Sequence, residues 1–380
     1  MYLPDSTKLL DIASEHDTPT YAYDLNKVRT QYQKLHESIS YQNKRIYYAV
    51  KANWHPEILN TLHKLGCGIE CVSRGEVEHA LVHKFKPEDI IFTGSGQSAD
   101  DLIWIAKQGI QINVDSLYQL EVLGQSDSTN KVSIRLNNDV GEGHHNHVIT
   151  GGSKSKFGIH YSNINIAKDL AIKYNLTING LHQHIGSHIL EEHIFAGAME
   201  IMYERASLFP DLEFIDFGGS FGVPYRPGVE ELDITKLGTL VADGFTEFCS
   251  NYGRELKLVF EPGRYLVAEA GTLLVSVTDI KDHPARKFVL VNSGFNHLIR
   301  PAMYDSYHHI TNLSNPQGKL EIFSIGGNIC ESGDLFALDR ELIMPEIGDI
   351  LAIHTAGAYG YSMSSRYNLH RLPKEIYYGS

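Results

Sequence analysis

Apolar residues gather in short runs at residues 45–50, 68–72, 90–93, 112–114, 132–136, 180–184, 214–217 and 257–261. The intervals between them have room for helices, such as Ile164 to Tyr174 or Leu237 to Asn251. Strands that alternate with helices pair in parallel, and eight such units are the number that closes a (β/α)8 barrel. The pattern therefore predicts an α/β fold with an N-terminal TIM-like barrel over residues 24–270. Beyond residue 270 helical periodicity weakens, and β-rich segments follow at Thr272–Thr278, Lys287–Val291, Leu320–Ser324 and Asp349–His354. These predict a mostly antiparallel C-terminal β-sandwich or small β-barrel over 271–380. Residues 1–23 are expected to join it, because Thr20-Tyr21-Ala22-Tyr23 is itself strand-like.

In a barrel of this kind the chemistry collects at the C-terminal strand ends. Those ends carry, in order, Lys51, Glu70, Thr93, Asp115, Arg135, His184, Asp216 with Gly218, and Glu261 with Arg264. Ordinary strand ends would be dominated by Gly, Asn, Asp and Ser, so a set this rich in ionisable groups points to a catalytic barrel.

Composition narrows the partners. A chain of 380 residues suggests two domains, and 42% hydrophobic with 21% charged residues indicates a globular protein throughout. A net charge of -13 with no basic cluster argues against nucleic acid. No apolar stretch is long enough to cross a bilayer, and Met1-Tyr2-Leu3-Pro4-Asp5 does not read as a leader, so a cytoplasmic protein is expected. Cys67, Cys71, Cys249 and Cys330 lack zinc-binding spacing and are too sparse for a disulfide scaffold. Cys330 stands apart in the polar turn Asn328-Ile329-Cys330-Glu331-Ser332-Gly333-Asp334.

Lys51 ends the strand-like run Ile46-Tyr47-Tyr48-Ala49-Val50. An amine held beside apolar side chains is more easily neutral and can condense with an aldehyde, which suggests pyridoxal 5′-phosphate; a lysine snorkelling to solvent is the plainer alternative. The glycines of Asp216-Phe217-Gly218-Gly219-Ser220-Phe221-Gly222 would let the backbone approach an anionic group, phosphate being the natural one. Glu261-Pro262-Gly263-Arg264 offers a carboxylate to keep a pyridine nitrogen protonated and a guanidinium to grip a phosphate or carboxylate, or else a structural ion pair. His182, His184 and His188 cluster in sequence, but no carboxylate stands near them to complete a ligand set, so no metal is expected. His184 reads instead as a residue lying against a cofactor ring and Ser187 as a phosphate donor. The run His144-His145-Asn146-His147 reads as solvated surface.

Six motifs together resemble the fold-type III pyridoxal-phosphate decarboxylases, the group containing ornithine, arginine and diaminopimelate decarboxylases. They are Tyr48-Ala49-Val50-Lys51-Ala52-Asn53, His184-Ile185-Gly186-Ser187, the Gly218–Gly222 loop, Glu261-Pro262-Gly263-Arg264, Cys330-Glu331-Ser332-Gly333-Asp334 and Gly357-Ala358-Tyr359-Gly360. The stretches Asn296–Tyr304 and Ser362–Asn368 are most similar to the branch that acts on meso-diaminopimelate. The resemblance implies decarboxylation of meso-2,6-diaminopimelate to L-lysine, the last step of lysine biosynthesis. A relative acting on ornithine, arginine, a D-amino acid or a siderophore or polyamine precursor is the alternative. It further implies a cofactor site of Lys51, Glu70, Arg135, His184, Ser187, Gly218, Gly219, Glu261, Gly263, Arg264 and Tyr359. Arg264, Arg300, Tyr304, Glu331 and Tyr359 are implied on the substrate, with Cys330 or Lys51 as proton donor. The family also implies a homodimer in which Cys330, Glu331 and Tyr359 cross the twofold interface. This chain departs from the family at Asn292, commonly acidic, at Ser220, a third glycine, at His188, often glutamine, and at Gly327-Asn328, often Gly-Pro.

Overall fold

The structure is a computed structural model that describes residues 1–139, 142–143, 152 and 155–379. The histidine run at 144–147 lies outside the described residues. The chain forms two compact units, one of residues 31–222 with 232–263, the other of residues 1–30, 223–231 and 264–380.

The first unit contains the expected barrel. Its eight parallel strands are Lys44–Ala49, Gly68–Cys71, Ile90–Phe92, Gln111–Val114, Lys131–Asn137, Thr177–His182, Phe214–Asp216 and Lys257–Phe260. The last pairs with the first, and pairing of Gln111–Val114 with Lys131–Asn137 completes the ring. Closure leaves no exposed sheet edge. Tyr47, Ile91, Phe214 and Val259 form an apolar cluster within it. Another part of the interior is polar, where Asn113 donates to Thr93 Oγ1 at 2.8 Å and Ser133 bonds to Asn113 Oδ1.

The outer helices follow from sequence rules. In Ile234–Tyr252, Leu237, Val241, Phe245 and Phe248 recur every three to four residues and are buried. Asp233 caps the first turn by accepting from the amides of Thr235 and Lys236, and Gly253 ends the helix at φ 87°, a conformation suited to glycine.

The second unit is built on an eight-stranded mixed sheet. Thr20–Asp24 pairs antiparallel with Gly271–His283 and parallel with Lys374–Tyr378, so the N-terminal segment does join the sheet. A second parallel pairing, Arg286–Val291 with Leu320–Gly326, makes the sheet less antiparallel than the segment pattern alone implies. The Leu25–Ser38 helix begins in this unit, as do the short helix Arg264–Val267 and residues 223–231, so the units do not follow a single cut of the chain.

Candidate active site

The barrel gathers its ionisable residues through strand register. Arg135 on one strand aligns with His182 on the next, and His182 with Asp216 on the one beyond, so the three enter at one level. Glu261 follows the eighth strand directly, and its amide donates to Gly218 O at 2.7 Å. All four side chains are buried. His182 Nε2 lies 3.1 Å from Glu261 Oε2, Thr93 Oγ1 lies 3.4 Å from Glu261 Oε1, and Arg135 reaches Asp115 Oδ1 at 3.4 Å.

Burial pushes the His182 imidazole below its usual range, so the ring is neutral and its Nε2–H donates to the carboxylate. Burial also opposes ionisation of Glu261, yet His182, the carboxyl of Asp216 and the Lys51 cation outweigh it and hold Glu261 below the usual carboxylate range. Asp216 moves the other way, raised well above its usual value by burial and by Glu261. The expectation that no carboxylate stands near His182 is thus overturned. Sequence spacing shows only neighbours along the chain, whereas parallel pairing brings Asp216 and Glu261 to within 4.8 Å of the imidazole.

Lys51 lies in a turn of 3-10 helix, Val50–Ala52, just past the first strand. Its Nζ donates to Glu70 Oε2 at 2.7 Å. The sequence predicts an amine among apolar side chains; the fold supplies a carboxylate, because Glu70 aligns with Ala49 across the adjacent strand. Burial raises the Glu70 carboxyl to about 7 even with Lys51 beside it.

His184 was expected at a strand end, but the strand stops at His182 and His184 stands in the turn beyond. Its Nδ1 accepts from the Gly219 amide at 3.2 Å, and burial keeps the ring neutral. The Gly218 amide donates to Asp216 Oδ1 at 2.8 Å and the Gly222 amide to Ile189 O at 2.9 Å. Close approach is what these glycines secure. A Cβ on Gly218 would stand 2.6 Å from Gln183 O, and one on Gly219 would stand 2.5 Å from Glu261 O. Ser220, which replaces a third glycine, adopts φ 76° and donates through Oγ to Gly186 O at 2.9 Å. Ser187 pairs in register with Gly143.

These residues fit the cofactor expected from the sequence. They supply a terminal amine, a neutral imidazole, a buried ionised carboxylate and a loop where side chains have no room.

In the second unit, Arg264 and Arg300 both lie against Tyr225, their guanidinium carbons 5.8 Å and 4.7 Å from its ring centroid. Arg264 donates to Tyr225 Oη at 2.7 Å and lies 5.1 Å from the Tyr359 ring centroid. Arg300 is 2% exposed, with its donors at 2.9 Å from His308 Nε2 and 3.3 Å from Ser306 Oγ. Burial and the nearby Arg264 lower the Arg300 guanidinium to about 10. Burial would raise the Tyr225 phenol, but the two guanidiniums outweigh it and pull it below its usual value. Among the described residues Arg300 meets no carboxylate. Tyr304 ends the short helix that Arg300 opens.

Cys330 and Glu331 occupy an exposed turn. Cys330 N donates to Asn368 Oδ1 at 3.0 Å, and Tyr367 Oη donates to Glu331 at 2.7 Å. The turn is pinned by Asp334, whose carboxylate accepts from the amides of Phe295 and Ile329 at 2.6 Å and 2.7 Å. Asn292 donates to Thr18 O and accepts from the Ser276 amide, and so serves the fold. Sequence reasoning missed Tyr225 and His308. Tyr225 follows the glycine loop closely enough to have drawn attention, whereas nothing in the sequence marks His308.

Residues 25–268 match the family model "Pyridoxal-dependent decarboxylase, pyridoxal binding domain". The chain is 41% identical to the diaminopimelate decarboxylase of Methanothermobacter thermautotrophicus, over 97% of this chain and 88% of that protein. It is 35% identical to the diaminopimelate decarboxylase of Escherichia coli K12, over 97% and 90%. Among solved structures, a diaminopimelate decarboxylase superposes with a TM-score of 0.91 at 34% identity, covering 99% of this chain and 92% of that one. The Helicobacter pylori diaminopimelate decarboxylase complexed with L-lysine gives 0.88 at 31%, covering 97% and 94%. The chain belongs to the pyridoxal-dependent decarboxylases, in the family that includes these diaminopimelate decarboxylases.

Proposed function

We propose that this enzyme decarboxylates meso-2,6-diaminopimelate to L-lysine and carbon dioxide, the last step of lysine biosynthesis. The observation that carries the substrate is Arg300, a buried guanidinium without a carboxylate partner among the described residues and with a second guanidinium on the same tyrosine. A buried cation is costly until an anion neutralises it, and a substrate that keeps a carboxylate at its far end brings one. An ornithine-like substrate brings an ammonium there instead, which two arginines repel.

Pyridoxal phosphate, bound by this family, supplies an electron sink for the pair left when the bond from Cα to the carboxylate breaks. Lys51 would hold the cofactor through its Nζ, with Glu70 beside it to take or return a proton. Glu261 would face the pyridine nitrogen, where an ionised carboxylate favours its protonated form. His184 bears on the ring, while Arg135 supports the buried carboxylates. Ser187, Gly218, Gly219, Gly263 and Tyr359 serve the phosphate. Arg264, Arg300 and Tyr304 grip the distal carboxylate, and Glu331 the distal ammonium. Cys330 or Lys51 delivers the proton that replaces the lost carboxylate. Cys330 and Glu331 lie on an exposed turn, which suits residues that serve across a twofold axis, so the working form is a homodimer with shared sites; the compartment expected for it is the cytoplasm.

The reaction is tested by running it in deuterium oxide with meso-diaminopimelate. The expected product is L-lysine with one deuterium on the carbon that lost its carboxylate. Recovery of unchanged diaminopimelate would refute the proposal.

A further inference from the structure

Asp216 has no assigned task, although it is fully buried beside the most important carboxylate of the barrel. One of its oxygens, Oδ1, accepts from the Gly218 amide at 2.8 Å. The other, Oδ2, is buried and receives no hydrogen bond from any donor among the described residues. One imidazole nitrogen of His182 and one carboxylate oxygen each of Asp216 and Glu261 lie within 4.8 Å of one another. Two carboxylates this close in a dry interior cannot both carry charge, and a buried acceptor with nothing to accept is costly. A single proton removes both problems, since a protonated Oδ2 becomes a donor and Glu261 is the acceptor next to it.

We propose that Asp216 keeps its proton in the working enzyme and donates it in a hydrogen bond to Glu261, fixing the pair's one negative charge on Glu261. Asp216 is then a positioning residue, acting on the cofactor only through Glu261, and the inference rests on the reading that Glu261 serves the pyridine nitrogen. Most groups around the pair favour this distribution; the Gly218 amide, which donates to Asp216 Oδ1, is the one that opposes it. His182 donates to Glu261 rather than to Asp216, and Lys51 stabilises the Glu261 anion, while the more distant Glu70 disfavours charge on Asp216. Burial raises the Asp216 carboxyl far above its ordinary range, in the same sense as the geometry.

Without the donor, Glu261 becomes more basic and draws the proton away from the pyridine nitrogen. Asp216→Asn keeps the shape and a donor but cannot ionise, so it imitates the proposed state, whereas Asp216→Leu removes the donor. The visible absorbance of the cofactor-loaded enzyme against pH should therefore coincide for wild type and Asp216→Asn, with a midpoint displaced by about one pH unit or more in Asp216→Leu. An Asp216→Asn profile displaced as far as that of Asp216→Leu would overturn the proposal, because it would mean that the charge of Asp216 matters. So would a wild-type profile in Asp216→Leu. Infrared difference spectra decide the proton even where Asp216→Leu does not fold. Wild-type apoprotein at neutral pH should show the carbonyl stretch of a protonated carboxyl that Asp216→Asn lacks, and absence of that band would refute the assignment. A protein that takes up no cofactor would sink the functional reading while the infrared band still tests the proton.

Discussion

Arg300→Met removes a buried guanidinium while keeping most of its volume. A fall of its proton affinity from 12.5 to about 10 corresponds to roughly 3 kcal/mol of unfavourable surroundings for the charge. Methionine escapes that cost, although it leaves Ser306 Oγ and His308 Nε2 without their donor, at about 1 kcal/mol each. The free enzyme should therefore melt no lower than wild type. The substrate loses the charge-assisted hydrogen bonds at its far carboxylate, about 2–3 kcal/mol, so kcat/KM for meso-diaminopimelate should fall about 30- to 150-fold. Steady-state assays with thermal melts of the same preparations measure both quantities. A kcat/KM within about threefold of wild type would refute the role of Arg300, and a collapse of the melting temperature would show that it serves the fold.

Other consequences can be checked in the same way. Gly219→Ala would place a Cβ 2.5 Å from Glu261 O, so it should cost about 1–3 kcal/mol of stability and weaken cofactor retention, read by melting and visible absorbance. Glu375, raised to about 7 by burial against the opposing hydrogen bonds of Tyr23 and Tyr377, tests pH linkage. A raised carboxyl favours the folded state below about pH 4.5, and that contribution is lost as pH rises through about 7. Glu375→Gln should thus stabilise the protein by about 1–2 kcal/mol above that window, after discount for partial exposure, and melts at acid and alkaline pH should diverge accordingly. If the sites are shared across a dimer and Cys330 is the proton donor, Lys51→Ala and Cys330→Ala proteins, each then nearly inactive, should recover up to about a quarter of wild-type activity when mixed; no recovery from two inactive proteins would contradict shared sites.

Much of the barrel was legible because period and length are local properties. The helix expected at Leu237–Asn251 appears as Ile234–Tyr252, and the Glu261-Pro262-Gly263-Arg264 and Lys51 motifs announce their strand ends. The strand carrying His182 was drawn too far along, since the apolar run does not reveal that the ladder ends before His184. What sequence did not reveal was pairing between distant strands. The contact of Glu70 with Lys51, and the gathering of His182, Asp216 and Glu261, depend on which residues share a level across a parallel ladder, and no spacing along the chain encodes that. His308 was hidden for another reason, as a single histidine in an irregular segment carries no periodic signal.

The central claim is most directly tested by carbon dioxide release from meso-diaminopimelate, L-ornithine, L-arginine, L-lysine and the D-isomers of the last three, run side by side on the cofactor-loaded enzyme. Release from meso-diaminopimelate alone, with L-lysine formed in equal amount, is the expected result. Release from ornithine, arginine or lysine with none from meso-diaminopimelate would contradict the assignment of Arg264 and Arg300 to a distal carboxylate.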